Sequence, residues 1–361
     1  MTDEYFMKLA LKLARKGLGH VSPNPMVGAV LVKEGKIIGA GYHRRFGGHH
    51  AEINAIRNAR QDVAGSTLYV TLEPCCHEGK TPPCVESIIA CKIARVVIGT
   101  IDANPLVSCQ GVHCLRESGI EVKTGVLADE CRKLNEVFFH YMETGMPFIT
   151  IKYAQTLDGR IATRSGRSQW ISSPASLKFA HRLRAQHDAI LVGCKTVIKD
   201  NPELTVRLVR GRNPIRVIVD SHLKISPKAK VFQNTADAAT ILATTSGANR
   251  PRRMRLSALG VEIISVPADR QGHVDLKKLF ERLAQRGISS ILIEGGSEII
   301  TSALKQNLAN RLVTVVSPKI IGKGIEAVGE LNITALDSAK KISIAKAMRL
   351  GDDIIIDGRL S

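Results

Sequence analysis

HAEINAIRNAR at 50–60 and STLYVTLEPCCHEGKTPPCVESIIA at 66–90 decide how the first part of this chain folds. AEINAIRNAR reads as a helix, STLYVTLEPC as a strand running into a cysteine, and VESIIACKI as a second helix. Upstream, VGAVLV at 27–32 is an apolar strand, and GKIIGAGYH continues as its hairpin partner after a turn at Lys33–Gly35. Further upstream, Phe6, Leu9, Ala10 and Leu13 repeat at helical spacing, predicting an amphipathic helix that ends near Gly17–Gly19. Downstream, ARVVIGTID reads as a strand and VHCLRESG as a helix ending at Gly119. This alternation implies an α/β layered domain.

GMPFITIKYAQTLDG at 145–159 starts afresh with a turn-forming Gly-Met-Pro ahead of a new strand, which predicts a boundary near residue 145 and two domains, 1–145 and 146–361. Strand-like AILVG, IRVIVDS, ATILATT, SSILIEGG and RLVTVVSP alternate with helical or loop segments in the second half. There is no internal repeat or low-complexity tract.

Two domains also suit the length, 361 residues, at roughly 100–200 residues per domain. The 44% hydrophobic and 23% charged composition is that of a soluble globular protein. No apolar run approaches the ~18 residues of a membrane span. Asp3 and Glu4 stand where a signal peptide would be basic, so the expected location is cytoplasmic. Seven of the eight cysteines lie at or before Cys131. In a reducing compartment such clustering favours metal ligands or buried thiols over disulfides. The net charge of +18 is lopsided: Lys+Arg against Asp+Glu is 17 to 15 through Gly145 and 34 to 18 thereafter. A basic surface draws anions, although a stretch such as NRPRRMR at 249–255 is more simply read as a solvated loop.

The chemistry-bearing set is His50, Cys75 and Cys84, with Glu52 two residues from the histidine. Zinc takes imidazole and thiolate ligands, and three protein ligands leave one position open, as catalysis requires, whereas structural zinc usually takes four. Glu52 is then a proton shuttle rather than a ligand, the H-x-E…P-C arrangement of zinc deaminases. Cys75 and Cys84 are both expected at helix N-termini, which stabilise thiolates. His49, Cys76 and His77 are further donors nearby. The H-x-E spacing favours His50, and Cys76 would point away if Cys75 points in.

The nine-residue step from Cys75 to Cys84, with GKTPPC inside it, SPNPMVGAVLV at 22–32 and GYHRRFGGHHAE at 41–52, resembles the RibD family of bifunctional riboflavin-biosynthesis proteins. The resemblance implies a cytidine-deaminase-like three-layer first domain that removes an amino group from a diaminohydroxy-phosphoribosylaminopyrimidine, with Asn24 near the pyrimidine; Pro23–Pro25 also reads simply as a rigid turn. His49 stands where the family usually has proline, and in DANPLVSCQG at 102–111 Ala103 and Cys109 are substitutions, Cys109 at a position where glycine would allow a positive φ.

In the second half, ILIEGGSEIITSALKQN at 291–307 is a strand, a Gly-Gly pair and a helix start, suited to a phosphate at the carboxyl end of a sheet. IKYAQTLDGRIAT at 151–163, SQWIS at 168–172 and HDAILVGCKTVIKDNPELTVR at 187–207 resemble the reductase domain of the same family. That resemblance implies a dihydrofolate-reductase-like α/β domain using NADPH to reduce the ribosyl side chain to ribityl. Carried over, the cofactor would meet Ala154, Trp170, Thr196, Asp200, Ser221 and the run Gly296, Ser297, Glu298, Ile299, Ile300, Thr301 and Ser302. The substrate would meet Ser168, Arg184, Leu204, Arg207 and Glu294. Arg184 and Arg207 offer forked donors suited to a phosphate, and Trp170 offers a flat face to a nicotinamide ring. Lys152 and Asp200 are alternatives for the proton donor.

Two other readings compete with a zinc deaminase joined to an NADPH reductase. A deaminase acting on a base in RNA, with a basic binding module behind it, is opposed by the long cysteine spacing, the near-neutral first half and the 4% aromatic content. A structural zinc scaffold is opposed by Glu52 and the three-ligand count. The expected partner is a phosphorylated pyrimidine, with no nucleic acid and no membrane; the sequence leaves the oligomeric state open, a homo-oligomer included.

Overall fold

A computed structural model describes residues 1–76, 82–104 and 108–360 of the chain. The chain divides into two compact units, Met1–Gly145 and Met146–Ser361.

In the first unit, α1 (Asp3–Ala14) precedes the hairpin of β1 (Gly28–Lys33) and β2 (Lys36–Tyr42). Then follow α2 (Ala51–Arg57), β3 (Thr67–Leu72), α3 (Cys84–Ala90), β4 (Arg95–Thr100), α4 (Gln110–Glu117), β5 (Glu121–Lys123), α5 (Ala128–Leu134) and α6 (Glu136–Thr144). The strands lie in the order β2-β1-β3-β4-β5. β1 is antiparallel to both its neighbours, and β3, β4 and β5 are parallel. The two-residue period of a strand divides the apolar residues between the faces. Leu31, Leu68, Val70, Val96 and Ile98 pack on one side with Ala55, Ile88 and Leu115 from α2, α3 and α4. Val30, Tyr69 and Val97 pack on the other with Phe6, Met7 and Ala10 from α1. The result is three layers, helix on sheet on helix. A Cβ on Gly28 would lie 2.0 Å from the Ala10 carbonyl oxygen, and one on Gly41 would lie 2.4 Å from the Ala55 nitrogen. Only glycine at these strand positions lets α1 and α2 settle so close to the sheet.

The second unit runs β6 (Phe148–Thr156), β7 (Arg160–Thr163), α7 (Pro174–Gln186), β8 (Ala189–Gly193), α8 (Cys194–Asp200), β9 (Ile215–Val219) and β10 (Thr240–Thr244). It continues through α9 (Arg250–Ser257), β11 (Glu262–Ser265), α10 (Leu276–Ala284), β12 (Ser290–Ile293), α11 (Ser297–Lys305), β13 (Arg311–Ser317), β14 (Gly324–Glu326), β15 (Ile342–Leu350) and β16 (Asp353–Leu360). Nine strands form one sheet in the order β11-β10-β9-β8-β12-β6-β13-β16-β15, and β7 pairs with β14. The stretch from β11 to β13 is parallel, and β16 and β15 are antiparallel additions. Ile151, Leu191, Val217 and Ile293 meet Leu279, Phe280 and Leu283 of α10 and Ile300 and Ala303 of α11 on one face. Ile190, Val192, Ile218 and Leu242 meet Val197 of α8 and Leu256 of α9 on the other. No described helix is long and apolar enough to cross a membrane.

The strands read from AILVG, IRVIVDS, ATILATT, SSILIEGG and RLVTVVSP are all present. The helix read over 51–60 stops at Arg57, where Asn58 takes the cap. The hairpin of β15 and β16 went unread. β15, ISIAKAMRL, is exposed over most of its length and so lacks the apolar signature of a core strand.

Candidate active sites

In the first unit the loop after β3 and the starts of α2 and α3 converge. His50 is the N-cap residue of α2, and its side chain makes no capping bond, which frees the imidazole. Cys84 is the first residue of α3. Cys75 does not open a helix, contrary to expectation; it lies beyond β3, and its Sγ accepts the Cys84 N–H at 3.4 Å. Both sulfurs therefore share the start of α3. His50 Nδ1 is 3.5 Å from Cys75 Sγ and 3.3 Å from Cys84 Sγ, and all three ligand atoms lie within 4.8 Å of one another. A tetrahedral zinc, with bonds of about 2.3 Å to sulfur and about 2.0 Å to nitrogen, sets such atoms roughly 3.5 Å apart. The donor set fits the ion.

Glu52, in the first turn of α2, is 3% exposed, and its Oε2 has no hydrogen-bond partner among the described residues. A buried carboxylate oxygen without a partner is costly unless a ligand or water meets it. Burial pushes its pKa from 4.5 up to about 7. The Cys75 thiol is drawn below its ordinary range, first by its hydrogen bond with Cys84 and against the effect of burial.

The neighbouring donors are otherwise engaged. His49 Nε2 meets an Arg57 guanidinium nitrogen at 2.6 Å, and Cys76 Sγ meets Gln110 Oε1 at 3.6 Å. His77 lies outside the described residues. A cavity of about 270 Å³ opens on the cluster, lined among others by Asn24, His43, Glu52, Asp102, Asn104 and Phe138. Asn24 Nδ2 points at His43 Nε2, 3.4 Å away, while His43 Nδ1 meets the His49 carbonyl at 3.1 Å. With the proton on Nδ1, His43 accepts from the amide of Asn24, which lines the cavity.

Glu73 escaped sequence reasoning. It is buried, and Oε2 accepts the N–H groups of Asp102 (3.2 Å) and Cys109 (3.1 Å) while Oε1 accepts that of Val112 (3.1 Å). It fastens Asp102 at the cavity rim and the start of α4. The E-P-C order was its only trace. Cys109 adopts φ 63°, the left-handed conformation its glycine-like position implied. Ala103 packs against the small cluster of Leu72, Phe138 and Phe139.

In the second unit the carried-over residues gather at the carboxyl ends of parallel strands. Glu294 follows β12 and takes a forked pair of bonds from Arg184, Nε to Oε1 at 3.0 Å and Nη2 to Oε2 at 2.6 Å. Nη1 of Arg184 donates to the Thr205 carbonyl at 3.2 Å. The Arg184 fork, whose geometry also suits a phosphate, holds the Glu294 carboxylate here. Arg207 donates through Nη1 to Glu203 and Thr205 and is half exposed, so it keeps donors for a ligand. Its backbone N–H goes to His181 Nδ1 at 2.9 Å. Leu204 is buried with φ 58°. Burial lowers the Lys152 pKa, with Glu294 opposing that shift. Ser168 Oγ donates to Asp200 Oδ1 at 3.3 Å, and burial raises the Asp200 pKa.

Gly295 and Gly296 have φ 150° and 76°. A Cβ on Gly296 would come 3.3 Å from Thr196 Oγ1, and α11 starts without a side-chain cap. Open N–H groups above a glycine floor fit a cofactor phosphate. Most side chains of the run are turned to other uses. Glu298 pairs with Lys195, Ile300 is buried in the core, Ile299 packs against it, Thr301 bonds the Ser297 carbonyl and the Gly329 N–H, and Ser302 accepts from Gln306. What the run offers a phosphate is backbone. Ser221 Oγ accepts the Val274 N–H at 3.0 Å, Ala154 lies on β6, and Trp170 is 64% exposed, which removes a core role for it.

Residues 1–100 match the cytidine and deoxycytidylate deaminase zinc-binding region, and residues 147–356 match the RibD C-terminal domain. The chain is 45% identical over 355 residues to the riboflavin biosynthesis protein RibD of Aquifex aeolicus (strain VF5), covering 98% of this chain and 97% of that one. It is 37% identical over 372 residues to the protein of the same name from Escherichia coli (strain K12), covering 99% of each. Among solved structures, a Thermotoga maritima diaminohydroxyphosphoribosylaminopyrimidine deaminase / 5-amino-6-(5-phosphoribosylamino)uracil reductase superposes with a TM-score of 0.88 at 42% identity, and Acinetobacter baumannii RibD with 0.90 at 33%, each covering 99% of both chains.

Proposed function

The chain belongs to the RibD family of riboflavin biosynthesis, acting as a zinc-dependent deaminase and an NADPH-dependent reductase, and we propose which of its residues perform each step. Residues 1–145 deaminate and 146–361 reduce. His50, Cys75 and Cys84 hold zinc, and Glu52 moves the proton.

The observation that carries the first assignment is the buried Glu52 oxygen, without a partner among the described residues, beside the three-ligand cluster. Bound zinc supplies a Lewis acid that makes water a nucleophile near neutral pH. Glu52, in the first turn of α2 beside the cluster, would take a proton from the attacking water and pass it to the leaving amino group. Asn24, oriented by His43, holds the pyrimidine edge. In the second unit NADPH supplies the hydride. The backbone from Gly296 to Ser302, with Ala154, Trp170, Thr196, Asp200 and Ser221, seats the cofactor. Arg207 grips the substrate phosphate, Ser168 and Leu204 line its path, and the Arg184–Glu294 pair fixes the wall beside it. Lys152 holds the proton for the opened sugar.

The substrate is a phosphorylated aminopyrimidine, free rather than within RNA. An RNA-directed deaminase would need a binding module where this chain matches the RibD C-terminal domain. We place the protein in the cytoplasm, where its free thiols stay reduced, away from membrane and nucleic acid. Incubation with diaminohydroxy-phosphoribosylaminopyrimidine should release ammonia without NADPH and consume NADPH only afterwards. Glu52→Gln should keep its zinc and lose ammonia release by at least a hundredfold. Full activity in that variant would remove Glu52 from the mechanism.

A further inference from the structure

The cofactor residues assigned above follow the sheet order. Ala154 is on β6, Gly296 follows β12, Thr196 is in α8 just beyond β8, and Ser221 follows β9, and these four strands are consecutive neighbours. A dinucleotide laid across them runs along their carboxyl ends, advancing about 4.8 Å per strand. The next strand in that direction is β10. Its end is tied to Ser221: the Thr245 Oγ1 hydroxyl donates to the Ser221 carbonyl at 2.9 Å and the Thr244 hydroxyl at 3.1 Å.

Immediately beyond lies a groove lined by Ser246, Ala248, Arg250, Arg253, Met254 and Ser257. Asn249 caps α9 by accepting the Arg252 N–H at 3.0 Å, and Arg252 Nη2 is bonded to the Lys224 carbonyl at 3.3 Å, which fastens the helix to the turn after Ser221. Arg250 and Arg253 make no side-chain hydrogen bond or ion pair among the described residues. Surface arginines of a folded protein usually find a carboxylate or project into water; here two unneutralised guanidinium groups share a groove with the Ser246 and Ser257 hydroxyls. Such a set suits a doubly charged phosphate monoester, and Ala248 and Met254 supply the apolar surface a purine would cover.

We propose that Arg250 and Arg253 bind the 2′-phosphate of NADPH, so that this groove is what makes the reductase prefer NADPH to NADH. The proposal rests on the reading that the cofactor crosses the strand ends at Gly296. The arginine-rich stretch at 249–255, read from sequence as a solvated loop, is the capped start of α9, and the proposal gives it a ligand. It also gives the basic surplus of the second half a specific task.

Isothermal titration calorimetry on the intact protein tests it with four probes: NADPH, NADH, adenosine 2′,5′-bisphosphate and adenosine 5′-monophosphate. The wild-type chain should bind the 2′-phosphorylated member of each pair at least tenfold more tightly. In the R250A/R253A double variant NADPH affinity should fall roughly tenfold or more per arginine, while NADH affinity stays within about twofold. An unchanged ratio of NADPH to NADH affinity in that variant overturns the proposal, as does an equal loss for both cofactors. Gly296→Val is the companion variant. It should weaken NADPH and NADH together, and if it leaves both unchanged the seat at Gly296 is wrong, a failure separable from that of the arginines.

Discussion

Cys109 occupies the left-handed region with φ 63°, where a Cβ costs about 1–2 kcal/mol. Its N–H, not its side chain, is used by Glu73. Cys109→Gly should therefore stabilise the chain by about 0.5–1 kcal/mol after the extra freedom of glycine in the unfolded state is deducted. Thermal unfolding would show this as a rise of a few degrees; an unchanged or lower midpoint would mean that the thiol contributes something the backbone does not reveal. The position was legible in advance because the surrounding motif put glycine there. The His50, Cys75 and Cys84 cluster was legible for a different reason: a metal site dictates residue types and leaves a spacing behind. Arg184 shows the limit of such reading, because a lone arginine gives no sign that its fork will meet the carboxylate of Glu294, 110 positions away. His43 and Glu73 act through bonds to backbone and amide groups, and those leave no pattern in a linear sequence.

Among elements, the parallel strands read easily because both faces are buried and their apolar runs are continuous. β15 did not, being an exposed edge whose residues need only solubility on one side. The segment from Asp102 to the start of α4 belongs between these cases. Its described parts, Asp102 and the start of α4, are held by one carboxylate that satisfies three N–H groups. An amide in its place offers a single oxygen and turns N–H against N–H. Glu73→Gln is expected to cost about 1–3 kcal/mol of stability. It should raise KM for deamination several-fold with a smaller change in kcat, at full zinc content. Loss of zinc with an unchanged KM would place the function of Glu73 at the metal loop instead of the rim.

For the molecule as a whole, acid sensitivity follows from a histidine in the second unit. His187 is buried, its Nδ1 bonded to the Leu183 carbonyl at 2.7 Å and its Nε2 to the Thr150 hydroxyl at 3.0 Å. A neutral ring satisfies both, donating through Nδ1 and accepting at Nε2. Burial lowers its pKa from 6.5 to about 4. Between those values the unfolded chain binds the proton and the folded chain does not. Stability should therefore rise with pH across that window and fall on acidification through it, by up to about 3 kcal/mol. Denaturation measured at steps from pH 4 to 7 should show the slope, and His187→Asn should make it shallower, the remainder including the similarly lowered His181; an identical slope in the variant would assign the acid sensitivity elsewhere.

One feature of the second unit bears on how the protein can be watched at work. The chain has a single tryptophan, and it stands exposed at Trp170, its carbonyl held by Lys319 Nζ at 2.8 Å. All indole emission of the intact protein therefore originates at the edge of the assigned nicotinamide seat. The protein comes with its own fluorophore, so cofactor arrival, residence and departure can be timed by light without a label and without turnover.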